Sequence, residues 1–146
     1  MNYREVYNNW ISWCDDETKK ELESIYDDSE IQDRFYRSLE FGTGVMGAGS
    51  NRMNKYTIRK ATKGLADFLL DNEPSCVNQG VVIAYDSRNH SAEFALEAAN
   101  VLCSAGIPVK IFSELEPTPV LSFAVKYLHA IAGIVITASH NPKEYN

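Results

Sequence analysis

Ser139, His140 and Asn141 follow one another directly after the apolar run 131–138, and Pro142 restricts the backbone around Asn141. A hydroxyl, an imidazole and an amide in that order suit phosphate handling. A serine that accepts and returns a phosphoryl group needs an acid or base beside it, donors for the phosphoryl oxygens and, as a rule, a divalent cation to spread the charge. His140 and Asn141 offer the first two. On spacing alone, a turn that simply ends a strand accounts for the same residues. A serine hydrolase is a third reading, but a nucleophile elbow wants glycine two residues either side of the serine, and those positions hold Thr137 and Asn141.

Two arginines are further candidates for an anion. Arg88 lies in Asp86-Ser87-Arg88-Asn89-His90-Ser91, where Asp-x-Arg after a strand reads either as a phosphate ligand or as a local ion pair that fixes the loop. The structural reading is adopted for it. Arg52 follows a glycine-rich stretch that permits close backbone approach to a phosphate, although the segment is neither a Walker loop nor a Gly-x-Gly-x-x-Gly fingerprint.

These residues must be held by regular elements. Apolar runs at 81–85, 107–112 and 132–137 read as strands, and the segments between them, 91–104 and 120–129, read as helices long enough for crossovers. A longer amphipathic helix is predicted over 54–70, with Asn54 as its N-cap. The first forty residues, rich in charge, Trp and Tyr, predict short helices, the second capped by Asp15 or Asp16. Gly42, Gly44, Gly47 and Gly49 mark 41–54 as a loop. The expected fold is therefore α/β: a three-layer α/β/α domain with a largely parallel, mixed sheet, preceded by short N-terminal helices. The division expected is an N-terminal helical extension over 1–40 and the α/β domain over 41–146. In such sheets ligands collect at the carboxyl ends of the strands, where the Asp86 and Ser139 loops both fall.

Composition narrows the partners. The 146 residues are 45% hydrophobic, enough for one core-bearing domain, and a net charge of −6 disfavours a nucleic-acid surface. The apolar run before Ser139 is far shorter than the roughly 20 residues a membrane helix needs, so no membrane role is expected. Cys14, Cys76 and Cys103 show no Cys-x-x-Cys spacing, and the amino terminus lacks a secretory apolar stretch, which together point to a reducing cytoplasm.

The wording Thr137-Ala138-Ser139-His140-Asn141-Pro142 resembles the phosphoserine loop of the phosphohexomutases, the phosphoglucomutase and phosphomannomutase family. The resemblance extends in order over about 35–146: Phe41-Gly42-Thr43, then Gly47-Ala48-Gly49-Ser50-Asn51-Arg52-Met53-Asn54, then Tyr85-Asp86-Ser87-Arg88 and Pro117-Thr118-Pro119. The glycine-rich wording is similar to the phosphoglucomutase-2-like and phosphopentomutase-like subgroup. The resemblance implies that Ser139 carries phosphate and, through a phosphoryl oxygen, helps ligate Mg²⁺. It implies a phosphorylated sugar as substrate, a sugar bisphosphate as activator and intermediate, and interconversion of sugar 1- and 6-phosphates or pentose 1- and 5-phosphates. His140 would contact the reacting group or assist proton transfer, and Asn141 would shape the loop.

Two departures qualify that expectation. Relatives carry a Gly-Leu-Arg-Gly step whose arginine approaches the phosphoserine, whereas here Gly44 passes straight to Val45. Losing such a donor commonly costs several kcal/mol of transition-state stabilisation. Relatives also continue past the position of Asn146 into three further domains that bring the aspartate-rich Mg²⁺ site and the sugar- and phosphate-recognition loops. This polypeptide alone is therefore expected to be inactive, with its serine loop loosely held on the far side. A non-catalytic phosphate- or partner-binding module derived from the same domain is the alternative.

Overall fold

A computed structural model describes residues 2–39, 44–142, 144 and 145. Phe41, Gly42 and Thr43 of the first motif lie outside the described residues.

The core is an open sheet of three parallel strands, β1 (Val81–Tyr85), β2 (Val109–Ile111) and β3 (Ala132–Ile136), in the order β2-β1-β3. Val81 of β1 aligns with Val109 and with Ala132, so all three carboxyl ends point the same way. As the central strand, β1 is buried on both faces, which is why it reads as an unbroken apolar run. Its alternation still decides the layers. Val81 and Ile83 pack with α4 (Lys55–Asn72) and α6 (Ser91–Ser104), while Val82 and Ala84 pack with Leu121 and Ala124 of α7 (Thr118–Tyr127). Helices therefore cover both faces, as expected. The described strands are all parallel.

Element ends differ from the sequence reading for local reasons. The strand predicted over 107–112 is shorter because the Ile107 N–H closes the preceding helix on Leu102 O and Pro108 has no N–H to give. The helix predicted over 120–129 begins at Thr118, since Pro119 in the first turn loses no intrahelical bond, and it stops at Tyr127 before His129 turns left-handed at φ 52°. Asn54 caps α4 as predicted, accepting from Tyr56 and Thr57 N–H in a capping box, and the helix runs on to Asn72. A short helix, α5 (Cys76–Gln79), occupies the break that follows.

The first forty residues form α1 (Tyr3–Trp13), α2 (Asp16–Glu23) and α3 (Asp28–Phe35), capped by Asn2, Asp15 and Asp27. They share a second apolar cluster built on Trp10, Leu22, Ile31 and Phe35. Tyr56 joins this layer to α4: its ring meets Trp10 and Trp13 edge-on, with centroids 5.4 and 4.9 Å away. Its hydroxyl accepts from Asp15 N–H at 2.9 Å and bonds the Asp15 carboxylate.

Candidate functional site at the carboxyl edge of the sheet

Because β1 and β3 are parallel neighbours, the loops that leave them emerge side by side. Asp86 N–H donates to Ile136 O at 3.2 Å, carrying the ladder one step beyond the strands. The Asp86 carboxylate then organises the corner. Its Oδ1 accepts from the Arg88 backbone N–H at 3.0 Å and from Ser91 Oγ, a fully buried hydroxyl, at 2.8 Å. Burial alone would push this carboxyl up, but hydrogen bonds from Thr137, Arg88 and Ser91, with the Arg88 charge, hold it below the usual carboxylate range.

The backbone of the next loop closes on this corner. Asn141 N–H donates to Ala138 O at 3.0 Å, and Ser139 N–H donates to Thr137 Oγ1 at 2.9 Å. Ala138 is fully buried while Ser139 and His140 are exposed, so the loop is anchored at its base and open at its tip. Ser139 is left-handed, with φ 53°, an uncommon conformation for a side chain other than Gly, Asn or Asp. Its Oγ lies 3.3 Å from His140 Nδ1. The pair can exchange a proton.

Arg88 turns its guanidinium onto this loop. One terminal nitrogen donates to Pro142 O at 2.9 Å and Tyr145 O at 3.3 Å, the other to Ser139 O at 2.8 Å and Asn141 O at 2.6 Å. Its Nε stands 3.7 Å from Asp86 Oδ2. In this structure the partners of Arg88 are chiefly carbonyls of the serine loop and not one local carboxylate. Beyond the loop, Tyr145 pairs antiparallel with Val45, and Met46 N–H donates to Glu144 O at 2.8 Å. The far side of the loop is thus tied down, contrary to the expectation that it is loosely held. The segment that ties it begins where the Gly-Leu-Arg-Gly step is missing.

Ser139, His140, Asn141 and Arg88 come together; Arg52 belongs to another network. It donates to Asn51 Oδ1 at 3.0 Å and pairs with the Asp33 carboxylate on α3. The glycine-rich stretch around it docks on the N-terminal helices. Ala48 N–H donates to Glu21 Oε1 at 3.0 Å, Arg34 donates to Ala48 O, and Asn54 Nδ2 donates to Gly47 O and Gly49 O. The glycines serve this close docking: a Cβ on Gly49, at φ 147°, would stand 2.9 Å from Arg34 O.

Among the described residues no group of three or more His, Cys, Asp or Glu lies together as a cation site. Asp86 is already committed to Arg88, Ser91 and Thr137, so the side chains at this corner do not by themselves fit a magnesium ion. An open cleft between α4 and α6 holds none of the candidate residues, and its cations are spent: Arg59 pairs with Glu97 and Lys63 with Asp67. What sequence reasoning missed is the set of carbonyls gathered by Arg88 and the pairing of Val45 with Tyr145. The Asp-x-Arg spacing after a strand was the available signal for the first.

Residues 39–146 match the family described as phosphoglucomutase/phosphomannomutase, alpha/beta/alpha domain I. The chain belongs to that family. Its sheet, covered by helices on both faces, agrees with a first α/β/α domain of a phosphohexomutase. Phosphoglucomutase of Staphylococcus epidermidis (strain ATCC 12228 / FDA PCI 1200) is 43% identical over 143 residues, covering 95% of this chain and 26% of the relative. Phosphoglucomutase of Staphylococcus haemolyticus (strain JCSC1435) is 42% identical over 146 residues, covering 95% and 26%. That of Staphylococcus aureus (strain USA300) is 43% identical over 143 residues, covering 94% and 25%. The chain thus spans about a quarter of the length of the curated relatives it matches. No solved structure matches it. Among the described residues no helix is long and apolar enough to cross a membrane.

Proposed function

We propose that this chain supplies the phosphoserine loop of a phosphohexomutase, with Ser139 as the residue that carries the phosphoryl group. The observation that carries the reading is the exposed, left-handed Ser139 with its Oγ 3.3 Å from His140 Nδ1. In the forward transfer a sugar hydroxyl oxygen bonds to phosphorus as the Oγ–P bond breaks; the hydroxyl proton passes to a base, and His140 Nδ1–H protonates the departing Ser139 Oγ. In the return transfer His140 Nδ1 takes the Ser139 proton as Oγ bonds to the other phosphorus of the bisphosphorylated sugar, the sugar O–P bond breaks, and the base that took the first proton returns it to the departing sugar oxygen. Phosphorus ends on Ser139 again, and the sugar phosphate has changed position. Asn141 shapes the loop through its N–H bond to Ala138 O.

The substrate class is a phosphorylated sugar, with a sugar bisphosphate as intermediate and activator. Mg²⁺ would be held through the phosphoryl group on Ser139 together with ligands other than the side chains of this corner, and would supply charge neutralisation. The names of the staphylococcal relatives support this reading. Residues 1–40 are read as a helical extension ahead of the α/β domain. The free thiols of Cys14, Cys76 and Cys103 support a cytoplasmic location.

The test grafts this chain in place of the matching quarter of the Staphylococcus epidermidis phosphoglucomutase and compares Ser139 with Ser139→Ala. The variant is expected to lose turnover by at least about a thousandfold. A graft whose turnover is indifferent to Ser139→Ala refutes the reading.

A further inference from the structure

We propose that Arg88 is a positioning residue for Ser139 and not a ligand of its phosphate; the proposal rests on the reading of Ser139 as the phosphoryl carrier. A guanidinium has five N–H donors in a planar fork. In Arg88 the four on the terminal nitrogens are directed at Ser139 O, Asn141 O, Pro142 O and Tyr145 O, and Nε faces Asp86. None of the terminal four remains for an anion, and the fifth, on Nε, stands 3.7 Å from Asp86 Oδ2. The side chain is 17% exposed; its bonds to Asn141 O and Tyr145 O are partly buried and those to Ser139 O and Pro142 O lie at the surface, and each is a charged donor to a carbonyl.

The clamp has a geometric consequence at the reacting atom. All peptide bonds described are trans, so with Ser139 O turned to Arg88 the N–H of His140 points away from the guanidinium. The same turn of the peptide goes with the left-handed Ser139, a conformation that persists only where its surroundings over-determine it. Arg88 gathers the carbonyls on one side of the loop and leaves the His140 N–H on the other. Asp86 sets the clamp itself by accepting the Arg88 backbone N–H. A lysine keeps the charge but cannot span four carbonyls with a planar fork.

The experiment uses the chain itself with Arg88→Lys and Arg88→Gln. Amide hydrogen exchange is followed in the Ser139 loop and in β1 and α6, and ³¹P resonances are titrated in protein carrying phosphoserine at position 139 introduced during translation. Exchange of the Ser139 and Asn141 amides is expected to accelerate by about tenfold or more in both variants, with β1 and α6 unchanged. The phosphate midpoint is expected to stay where it is in Arg88→Gln. Full protection in Arg88→Lys would show that charge alone suffices and overturn the fork. Unchanged exchange in both variants would remove the clamp. A phosphate midpoint raised by about a unit in Arg88→Gln would make Arg88 a phosphate ligand. Neither readout requires phosphoryl transfer, so failure of Ser139 as carrier would appear in the graft assay and leave these results standing.

Discussion

At the scale of single residues, the corner depends on Asp86 being ionised. It is the acceptor for a fully buried hydroxyl, Ser91, and for the backbone that starts the Arg88 clamp. Its pKa is lower folded than unfolded, so its contribution to stability is complete above the ordinary carboxylate value near 4 and is lost as pH falls through the lower folded value. Asp86→Asn keeps an acceptor of the same shape but removes the charge. It is expected to lower the unfolding free energy by about 1–2 kcal/mol near neutral pH, the gap closing in acid as the Asp86 carboxylate takes up its proton. Urea unfolding at neutral and at acid pH checks this; a gap that widens in acid contradicts it. The family was legible in the wording around Ser139, while residue types and order alone left a strand-ending turn equally open. The role of Arg88 was half legible: Asp-x-Arg told of a fixed loop, but acceptors more than fifty positions away are backbone carbonyls, and carbonyls leave no trace in residue identity.

At the scale of elements, the strands and helices followed from hydrophobic period, and the misses sit where the backbone overrode it. Proline decided two of them, Pro108 shortening β2 and Pro119 starting α7 early. Glycine decides how closely elements approach. Gly80 leads into the central strand at φ 71°, and a Cβ there would stand 2.4 Å from Pro108 O, which cannot withdraw while it accepts Val81 N–H at 2.8 Å. Gly106, at φ 81°, has nothing within 4 Å. Gly106→Ala is therefore expected to cost only the left-handed strain of about 1–2 kcal/mol, and Gly80→Ala clearly more. Thermal unfolding of the two variants ranks them, and equal losses would mean that the β1–β2 contact yields more easily than its hydrogen bond implies.

At the scale of the molecule, a parallel sheet brings the Asp86 and Ser139 loops to one edge while the helical layer and the glycine-rich stretch lock together behind it. That locking was not foreseen. Glycines and Arg52 suggested a phosphate approach, yet the compensating acids, Glu21 and Asp33, lie on helices whose docking no local pattern reveals. Phosphoryl transfer needs fixed geometry around both phosphate and cation, and on the proposed reading the chain brings one loop of that assembly. The 146-residue polypeptide alone is expected to give no interconversion with glucose 1-phosphate, glucose 1,6-bisphosphate and Mg²⁺; turnover that survives removal of contaminating mutase contradicts this. The central claim is that Ser139 bears the phosphate. Its most direct test is mass-spectrometric mapping of phosphate on the grafted enzyme after equilibration with glucose 1,6-bisphosphate. The account predicts one phosphate, on the peptide containing Ser139; phosphate on any other residue, or none, would contradict it.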